Sequence, residues 1–263
     1  MSDDLSLRGK RAVVTGASRG IGRAIALALA EAGADVAVSA RTKSELDELA
    51  EMIHAMGRRA IAVACDVTDP QQVAVHLAGG VLGEFGGIDI LVNNAGASGS
   101  AKFVGHPDEL WHRMLAMNMT SVYYVSKAFA PAMIAQRSGR IITIASIAAR
   151  VGAKYIAAYT AAKHGALGLV RALAVELLPY NITVNAICPG YVDTPMTQAN
   201  IANMVQRTGM SEQQARESLE RMSPQQRLIT PEEVARVAVF LAQDAAASIT
   251  GQAINVDGGA IMS

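Results

Sequence analysis

The stretch RAVVTGASRGIGRAIALALAEAG (residues 11–33) decides the fold of this chain. It begins with an apolar run typical of a buried strand and continues, through a glycine-rich turn, into a helical pattern that ends at a glycine. Glycines allow a tight turn and let a phosphate group approach the backbone at the positive end of the following helix. Gly16, Gly20 and Gly22 therefore indicate a nucleotide-binding strand–turn–helix unit, and simple turn formation is the alternative explanation.

Outward from this stretch, apolar runs alternate with helical patterns almost to the end of the chain. Continuous Val, Ile and Ala runs are typical of strands covered on both faces, as in a parallel sheet with helices on both sides. We therefore predict an α/β fold: a Rossmann-type, doubly wound, seven-stranded parallel sheet in a single domain over 1–263. The predicted strands lie within 11–16, 34–40, 59–68, 88–96, 139–146, 182–190 and 252–259. Helices are predicted over 20–33, 44–57, from about residue 70, over 107–136 and over 154–178.

One segment, 193–227, interrupts the alternation and is rich in Met, Gln and Arg. We predict that it is a helical insertion over the site, a substrate lid. Methionine side chains are flexible, so Met196, Met204, Met210 and Met222 could give this lid an adaptable apolar surface. A helix pair simply packed on the core is the alternative.

Bulk composition excludes several classes of protein. The 263 residues include 23 basic and 23 acidic side chains, and this balance argues against nucleic acid or an anionic membrane as the main partner. No apolar run approaches the roughly 18 residues of a membrane span, and the first residues contain no apolar signal core, so we expect a soluble, cytoplasmic protein. Cys65 and Cys188 lie in apolar stretches and are expected to be buried free thiols; no spacing resembles a metal site.

The stretch AYTAAKHGAL (157–166) places Tyr159 and Lys163 one helical turn apart, among small residues. A free phenol has a pKa of about 10, which is high for proton transfer at neutral pH. We expect the neighbouring ammonium to favour the phenolate and lower the pKa of Tyr159, as a proton donor to a carbonyl oxygen requires during hydride transfer. A Tyr–Lys pair on a solvated helix face is the alternative.

Five motifs occur together in one order: TGASRGIG, NNAG (93–96), Ser146, YTAAK (159–163) and CPGYVDT (188–194). In order and spacing they resemble the short-chain dehydrogenase/reductase family, from about residue 7 to residue 259. The resemblance implies an NAD(P)-dependent oxidoreductase that acts on a small carbonyl or alcohol substrate. It also implies a homotetramer.

The same resemblance assigns four catalytic residues. Besides Tyr159 and Lys163, it implies that Ser146, thirteen residues before the tyrosine, hydrogen-bonds the substrate oxygen. Asn118 is a poor residue for a helix interior, and the resemblance implies that it holds a water molecule linking Lys163 to solvent. A turn or cap for Ser146 and a solvated Asn118 are the alternatives.

Cofactor contacts are expected at the carboxyl ends of the strands. The resemblance places Asp66 at the adenine amino group, Asn93 at the adenosine ribose and the end of the fourth strand, the Val192 backbone at the carboxamide and Thr194 at the phosphates. Capping or turn roles for Asp66 and Thr194 could coexist with these contacts. The expected cofactor-binding set is Gly16, Ser18, Arg19, Gly20, Ile21, Gly22, Arg41, Asp66, Val67, Asn93, Tyr159, Lys163, Val192 and Thr194.

The end of the second strand bears on the choice of dinucleotide. NAD enzymes usually place an acid there, but this chain has Ser39, Ala40 and Arg41, with Arg19 in the glycine turn. Guanidinium groups suit a 2′-phosphate by charge and geometry. NADP(H) is therefore favoured, and NAD(H) remains possible if Arg41 merely covers the adenine face and Arg19 is solvated.

These features predict an NADPH-dependent ketone reductase for a 3-oxoacyl-type thioester or keto acid. The alternatives are an NAD-dependent secondary alcohol or 3-hydroxyacid dehydrogenase and, more remotely, a non-catalytic dinucleotide-binding sensor, because fold alone does not prove turnover. Reductases that act on carrier proteins usually show basic residues beside the cleft. Arg137 fits one such place, but Tyr180 and Asn181 stand where an arginine would help, so carrier-protein docking is in doubt.

Overall fold

The computed structural model describes residues 6–262 as a sheet of seven parallel strands with helices on both faces. The strands follow the order β3-β2-β1-β4-β5-β6-β7, and each lies within its predicted range. This confirms the predicted Rossmann-type fold. The strands are β1 (Arg11–Thr15), β2 (Asp35–Ala40), β3 (Ala60–Ala64), β4 (Ile90–Asn93), β5 (Gly139–Ile144), β6 (Ile182–Pro189) and β7 (Ala253–Val256).

Eight helical segments surround the sheet within residues 6–262, in addition to short 3-10 turns. Two of them, α3 and α4, contain a π-helical turn between two α-helical parts. The regular segments are α1 (Gly20–Glu31), α2 (Lys43–Ala55), α5 (Ala157–Leu177), α6 (Pro195–Thr208), α7 (Glu212–Glu220) and α8 (Pro231–Ala242). The interrupted ones are α3 (Pro70–Gln72, π turn Val73–Gly79, Gly80–Phe85) and α4 (Asp108–Leu115, π turn Ala116–Thr120, Ser121–Gln136).

The apolar core lies in two layers, one on each face of the sheet. Successive residues of a strand point to opposite faces, so Val14 of β1 packs with α1, α2 and α8 while Val13 packs with α3, α4 and α5. All residues of β5 and β6 are buried, as the centre of a doubly covered sheet requires. The strand order reverses between β1 and β4, and in such sheets ligands bind where this reversal leaves a crevice at the carboxyl ends.

The segment predicted to be a substrate lid, 193–227 (the lid segment), forms α6 and α7, and its role as a lid stays a prediction. An isolated parallel β-bridge between Val192 and Ile229 joins the chain just before the segment to the chain just after it. The helices of the segment share a small apolar core of their own with Tyr191, Met204 and Val205 packed against it; the buried members are Ile201, Ala215, Leu219 and Leu228. Among the four methionines, only Met204 joins that core, and the other three are exposed. No helix within residues 6–262 is long and apolar enough to cross a membrane.

Candidate active site

The glycine turn after β1 is shaped by close backbone contacts. Gly16 has a φ of 63°, and a Cβ added there would lie 2.8 Å from the Ala95 Cα atom. A Cβ at Gly22 would lie 2.3 Å from the Gly16 carbonyl oxygen. Both positions therefore require glycine, because a side chain would displace backbone rather than a flexible neighbour.

Asn94, which was not among the predicted site residues, holds this turn against the end of β4. Its Nδ2 donates to the carbonyl oxygens of Thr15 at 2.9 Å and Gly16 at 3.0 Å. The Thr15 hydroxyl in turn accepts from the Asn94 and Ala95 backbone N–H groups. In the sequence, Asn94 is visible only as the second asparagine of NNAG. Its role depends on the contact between the end of β4 and the end of β1, which the sequence does not show.

The residues present fit a dinucleotide pyrophosphate. The first turn of α1 contains no acidic residue, and no side chain caps its N-terminus. Its N–H groups can therefore donate hydrogen bonds to an anion at the positive end of the helix. Thr194 lies over this turn, since a Cβ on Gly20 would come within 3.2 Å of its Cγ2 atom. Ser18 and Ile21, the remaining predicted members of the turn, are both partly buried.

Thr194 also has the capping role considered as the alternative. Its hydroxyl accepts from the Thr197 N–H at 3.4 Å at the start of α6, and it donates to the Val192 carbonyl at 3.3 Å. The Thr197 hydroxyl donates to the same carbonyl at 2.6 Å. The backbone from Val192 to Thr194 is thus held rigidly beside the glycine turn, at the base of the lid segment.

The end of β2 presents positive charge. Arg19 and Arg41 are both exposed, and neither forms a side-chain hydrogen bond or ion pair with the part of the chain that the structure describes. Ser39 is buried, and its hydroxyl has no partner there. No acidic side chain stands at this strand end, so a 2′-phosphate would meet two available guanidinium groups.

Asp66, Val67 and Asn93 line the neighbouring strand ends. The Asp66 carboxylate accepts from the Thr68 N–H at 2.9 Å and from the Thr68 hydroxyl at 2.7 Å. These bonds form the turn that was the alternative prediction for Asp66. Val67 is buried. Asn93 points into the core, where its Nδ2 donates to the Ser126 hydroxyl at 3.0 Å, and so supports the end of β4. Its contact with the adenosine ribose stays a prediction.

Ser146, Tyr159 and Lys163 meet in one pocket at the carboxyl end of β5. Lys163 is buried and its Nζ donates to the Ile144 carbonyl at 2.9 Å, while lying 5.7 Å from the centre of the Tyr159 ring. The Ser146 and Tyr159 side chains are hydrogen-bonded. The Ser146 hydroxyl also accepts from the Ala148 N–H at 3.1 Å, so its position is held by the turn that follows β5.

The predicted lowering of the Tyr159 pKa by Lys163 is wrong for this structure. Burial raises the pKa of Tyr159 above its usual range, and the hydrogen bond with Ser146 lowers it only in part. Burial also lowers the pKa of Lys163 to about 8. The physical reason is that both groups leave water, which disfavours their charged forms, and the ammonium is directed at the Ile144 carbonyl. At neutral pH the phenol is therefore protonated and the lysine mostly cationic.

Asn118 occupies the π-helical turn of α4 and is buried, so the solvated alternative is wrong. Its Nδ2 donates to the carbonyls of Ala97 at 3.0 Å and Met114 at 3.1 Å, and its Oδ1 accepts from the Ala97 N–H at 3.2 Å. A Cβ on Gly96 would lie 2.9 Å from Asn118 Oδ1 and 3.7 Å from Lys163 Nζ. Asn118 thus holds the chain after β4 against the lysine, and the predicted water contact stays untested.

Two further residues adjoin the pocket. The Cys188 sulfur is hydrogen-bonded by the Ser146 backbone, and burial raises the pKa of this thiol. Cys65 and Cys188 are both free and buried, which confirms that prediction. Tyr191 lies near Tyr159, whose pKa it helps to raise, and packs against the core of the lid segment. It links the lid segment to the catalytic pocket.

Two hydrogen bonds define the rim of the cleft above this pocket. The Ser98 hydroxyl donates to the Asn200 side-chain oxygen at 3.1 Å and so joins the loop after β4 to α6. The Ala101 N–H donates to the Tyr155 carbonyl at 2.8 Å and joins that loop to the one preceding α5. Tyr155 itself has a φ of 70°, in the left-handed region.

The fold and this site define an oxidoreductase of the dinucleotide-binding α/β class. Residues 16–260 match the sequence profile of a family described as enoyl-(acyl carrier protein) reductase. The protein belongs to the short-chain dehydrogenase/reductase family.

Three relatives illustrate the range of this likeness. The chain is 40% identical over 258 residues to a 3-oxoacyl-(acyl-carrier-protein) reductase of Escherichia coli K12, covering 98% of this chain and 100% of that protein. It is 39% identical over 256 residues to a D-beta-hydroxybutyrate dehydrogenase of Rhizobium meliloti, covering 95% and 98%. A variant of actinorhodin polyketide ketoreductase, solved with NADPH, is 36% identical, with a TM-score of 0.92 and coverage of 95% and 97%.

Proposed function

We propose that the protein uses NADPH to reduce the ketone of a 3-oxoacyl-type substrate, a thioester or a keto acid, to a secondary alcohol. The observation that carries this proposal is the single pocket in which Ser146, Tyr159 and Lys163 meet, at the same edge of the sheet as the glycine turn. A 3-oxoacyl reductase and a polyketide ketoreductase among the relatives support the substrate class. The intact catalytic set argues against a non-catalytic sensor.

Each catalytic side chain has a role in this reaction. A reduced nicotinamide dinucleotide, when bound, supplies the hydride. The protonated Tyr159 phenol donates its proton to the ketone oxygen, which the Ser146 hydroxyl holds by a hydrogen bond. The Lys163 cation stabilises the phenolate that remains. Asn118 positions the chain next to the lysine and, in our proposal, holds the water that returns a proton.

The cofactor-binding residues follow from their places at the strand ends. The turn from Gly16 to Gly22 receives the pyrophosphate, and Thr194 covers it. Arg19 and Arg41 bind the 2′-phosphate, Asp66 and Val67 lie at the adenine, and the Val192 backbone binds the carboxamide.

The preference for NADPH is tested by comparing kcat/KM for NADPH and NADH with one ketone substrate. We expect NADPH to be favoured by about tenfold or more, because each charge-assisted hydrogen bond to a phosphate contributes about 1.5–3 kcal/mol. The Arg41→Ala variant should lose most of this preference while keeping its activity with NADH. A preference of the unmodified enzyme for NADH would contradict the assignment.

A second candidate is an NAD-dependent 3-hydroxyacid dehydrogenase, which the D-beta-hydroxybutyrate dehydrogenase relative favours. The measurement is the rate with 3-hydroxybutyrate and NAD against the rate with acetoacetate or its thioesters and NADPH. A larger kcat/KM for the first pair would replace our proposal with this candidate.

Carrier-protein docking is not part of our proposal. The Arg137 guanidinium, which lies at the amino end of β5 rather than at the end that carries Ser146, donates to the Pro179 carbonyl at 3.0 Å and lies 5.9 Å from the Tyr180 ring centre. This cation is therefore engaged with its own chain. A free acid or a coenzyme A thioester fits the absence of a second arginine at position 180 better than a carrier-bound thioester does.

The assembly and compartment are also proposals. We propose a cytoplasmic homotetramer, supported by exposed large apolar side chains on α4 and α5 such as Trp111 and Val175. Light scattering on the purified protein should give a mass near four times 27.5 kDa. A mass of 27.5 kDa itself would contradict the tetramer.

A further inference from the structure

Two loops form the rim of the cleft opposite the lid segment. One follows β4 and spans residues 94–107; the other spans 147–156 and joins Ser146 to the helix that carries Tyr159. The 2.8 Å hydrogen bond from Ala101 to Tyr155 ties these loops together. A non-glycine residue in the left-handed region persists only where the surrounding structure holds it there, so this junction is a defined contact.

Each loop carries one lysine next to this junction. Lys102 follows Ala101, and Lys154 precedes Tyr155, so their Cα atoms lie within roughly 13 Å of each other, given about 3.8 Å between consecutive Cα atoms. Both lysines are exposed. Neither forms an ion pair or side-chain hydrogen bond within residues 6–262. Two ammonium groups are therefore free to converge on one anion.

The carboxylates near these loops interact with other positive groups. Asp108 and Glu109, further along the first loop, begin α4, where the helix dipole favours their charge. On the lid side, Asp193 is neutralised by Arg216, whose Nη2 lies 2.8 Å from its carboxylate, and this contact lowers the pKa of Asp193. The rim thus carries two lysines that form no ion pair within residues 6–262, and the positive charges of Arg150, on the second loop, and Arg171 also act on Cys188 beside the pocket.

We infer that Lys102 and Lys154 form a recognition site for an anionic group on the substrate. The group is either the carboxylate of a free 3-oxo acid or the phosphates of a coenzyme A thioester. The inference rests on the proposed function and narrows its substrate class to anionic carbonyl compounds, excluding simple neutral ketones. A flexible ammonium binds either anion as a point charge, so the site selects charge rather than shape.

The test compares matched charged and neutral substrates. Acetoacetate is paired with methyl acetoacetate, and acetoacetyl-coenzyme A with the neutral acetoacetyl thioester of N-acetylcysteamine. For the Lys102→Gln/Lys154→Gln double variant we expect kcat/KM to fall about tenfold for the charged member of at least one pair, with less than about twofold change for its neutral partner. The affected pair identifies the source of the anion. The loss should shrink at 0.5 M salt, because exposed charges are screened within about 4 Å at that concentration.

Controls separate this inference from the proposed function. Lys127→Gln removes another exposed lysine, on α4, and should change neither pair. Equal losses for charged and neutral members, or no loss at all, would overturn the inference while leaving the reductase intact. If no substrate is reduced, calorimetric titration with acetoacetate and with coenzyme A still decides: weaker binding by the double variant supports the site, and equal binding overturns it.

Discussion

The catalytic edge of the sheet and the lid segment are held in place by different kinds of polar contact. At the catalytic edge, Lys163 and Asn118 are buried and held by hydrogen bonds to backbone atoms of other elements. In the lid segment, exposed or half-exposed ion pairs tie α7 to the base of the segment and link its own turns, as Arg216 does with Asp193 and Glu220. Backbone contacts in a buried site fix geometry, whereas exposed ion pairs contribute little to stability and break easily.

This difference predicts which kinetic parameter each region controls. The small core of the lid segment is separate from the two large cores, and the segment meets the catalytic body at the Val192–Ile229 bridge, at Tyr191 and through the Ser98–Asn200 hydrogen bond. Regions with few buried contacts open at low free-energy cost. We therefore expect changes at the catalytic edge to affect kcat and cofactor binding, and changes in the lid segment to affect KM.

The largest effect tests the catalytic edge itself. Tyr159→Phe removes the proton donor without changing the shape of the pocket, so kcat should fall by about a thousandfold or more. Steady-state kinetics give the fall, and NADPH fluorescence titration should show cofactor affinity within about threefold of the unmodified enzyme. Tyr123→Phe, on the exposed face of α4, serves as the control with unchanged kcat. Unchanged turnover in Tyr159→Phe would remove the phenol from the mechanism.

The second effect tests the rigidity of the glycine turn. Gly22→Ala places a Cβ 2.3 Å from the Gly16 carbonyl oxygen, so the backbone must shift. We expect NADPH affinity to fall about a hundredfold and the free energy of unfolding to drop by about 1–3 kcal/mol. Fluorescence titration and thermal unfolding measure the two losses. Gly80→Ala is the matched control: it also adds a methyl to a helical glycine, but nothing lies within 4 Å, and it should be neutral or stabilising.

The third effect concerns protonation at the catalytic edge. Because the pKa of Lys163 is lowered to about 8, its ammonium is present below that pH and is lost above it. Ketone reduction should therefore keep a constant kcat/KM below pH 7 and decline above pH 8, by about tenfold between pH 8 and pH 9.5. Initial rates at saturating NADPH from pH 6 to pH 10 give the profile. A constant rate up to pH 10 would contradict the lowered value.

The smallest effect tests the lid segment. Arg216→Gln removes the ion pairs with Asp193 and Glu220, which loosens α7 from the base of the lid. We expect KM for the ketone to rise about two- to fivefold, kcat to stay within about twofold, and the free energy of unfolding to change by less than about 1 kcal/mol. Arg221→Gln, at the C-terminal cap of α7, is the control, because its ion pair with Glu217 does not reach the base of the lid segment. A large fall in kcat would contradict the proposal that the lid segment affects KM and the catalytic edge affects kcat.

Most of the fold was predictable because each apolar run has the length and composition of a doubly covered strand, and local pattern is enough to find such strands. Tyr159 and Lys163 were predictable as neighbours because helical spacing alone places them one turn apart. Their pKa values were not, because burial and the Ile144 carbonyl act on them from outside the helix. The hydrogen bonds between Asn118 and Ala97 and between Asn94 and Thr15 were not predictable either, because each pair joins segments that are distant in sequence.

The two cysteines of the chain, both buried, have a practical consequence. Thiol-reactive dyes should leave the native protein unlabelled, so a single introduced cysteine gives a clean spectroscopic handle. Met210, at the tip between α6 and α7, is 42% exposed and suits that substitution. A fluorophore there would report in real time whether the tip moves as the enzyme turns over.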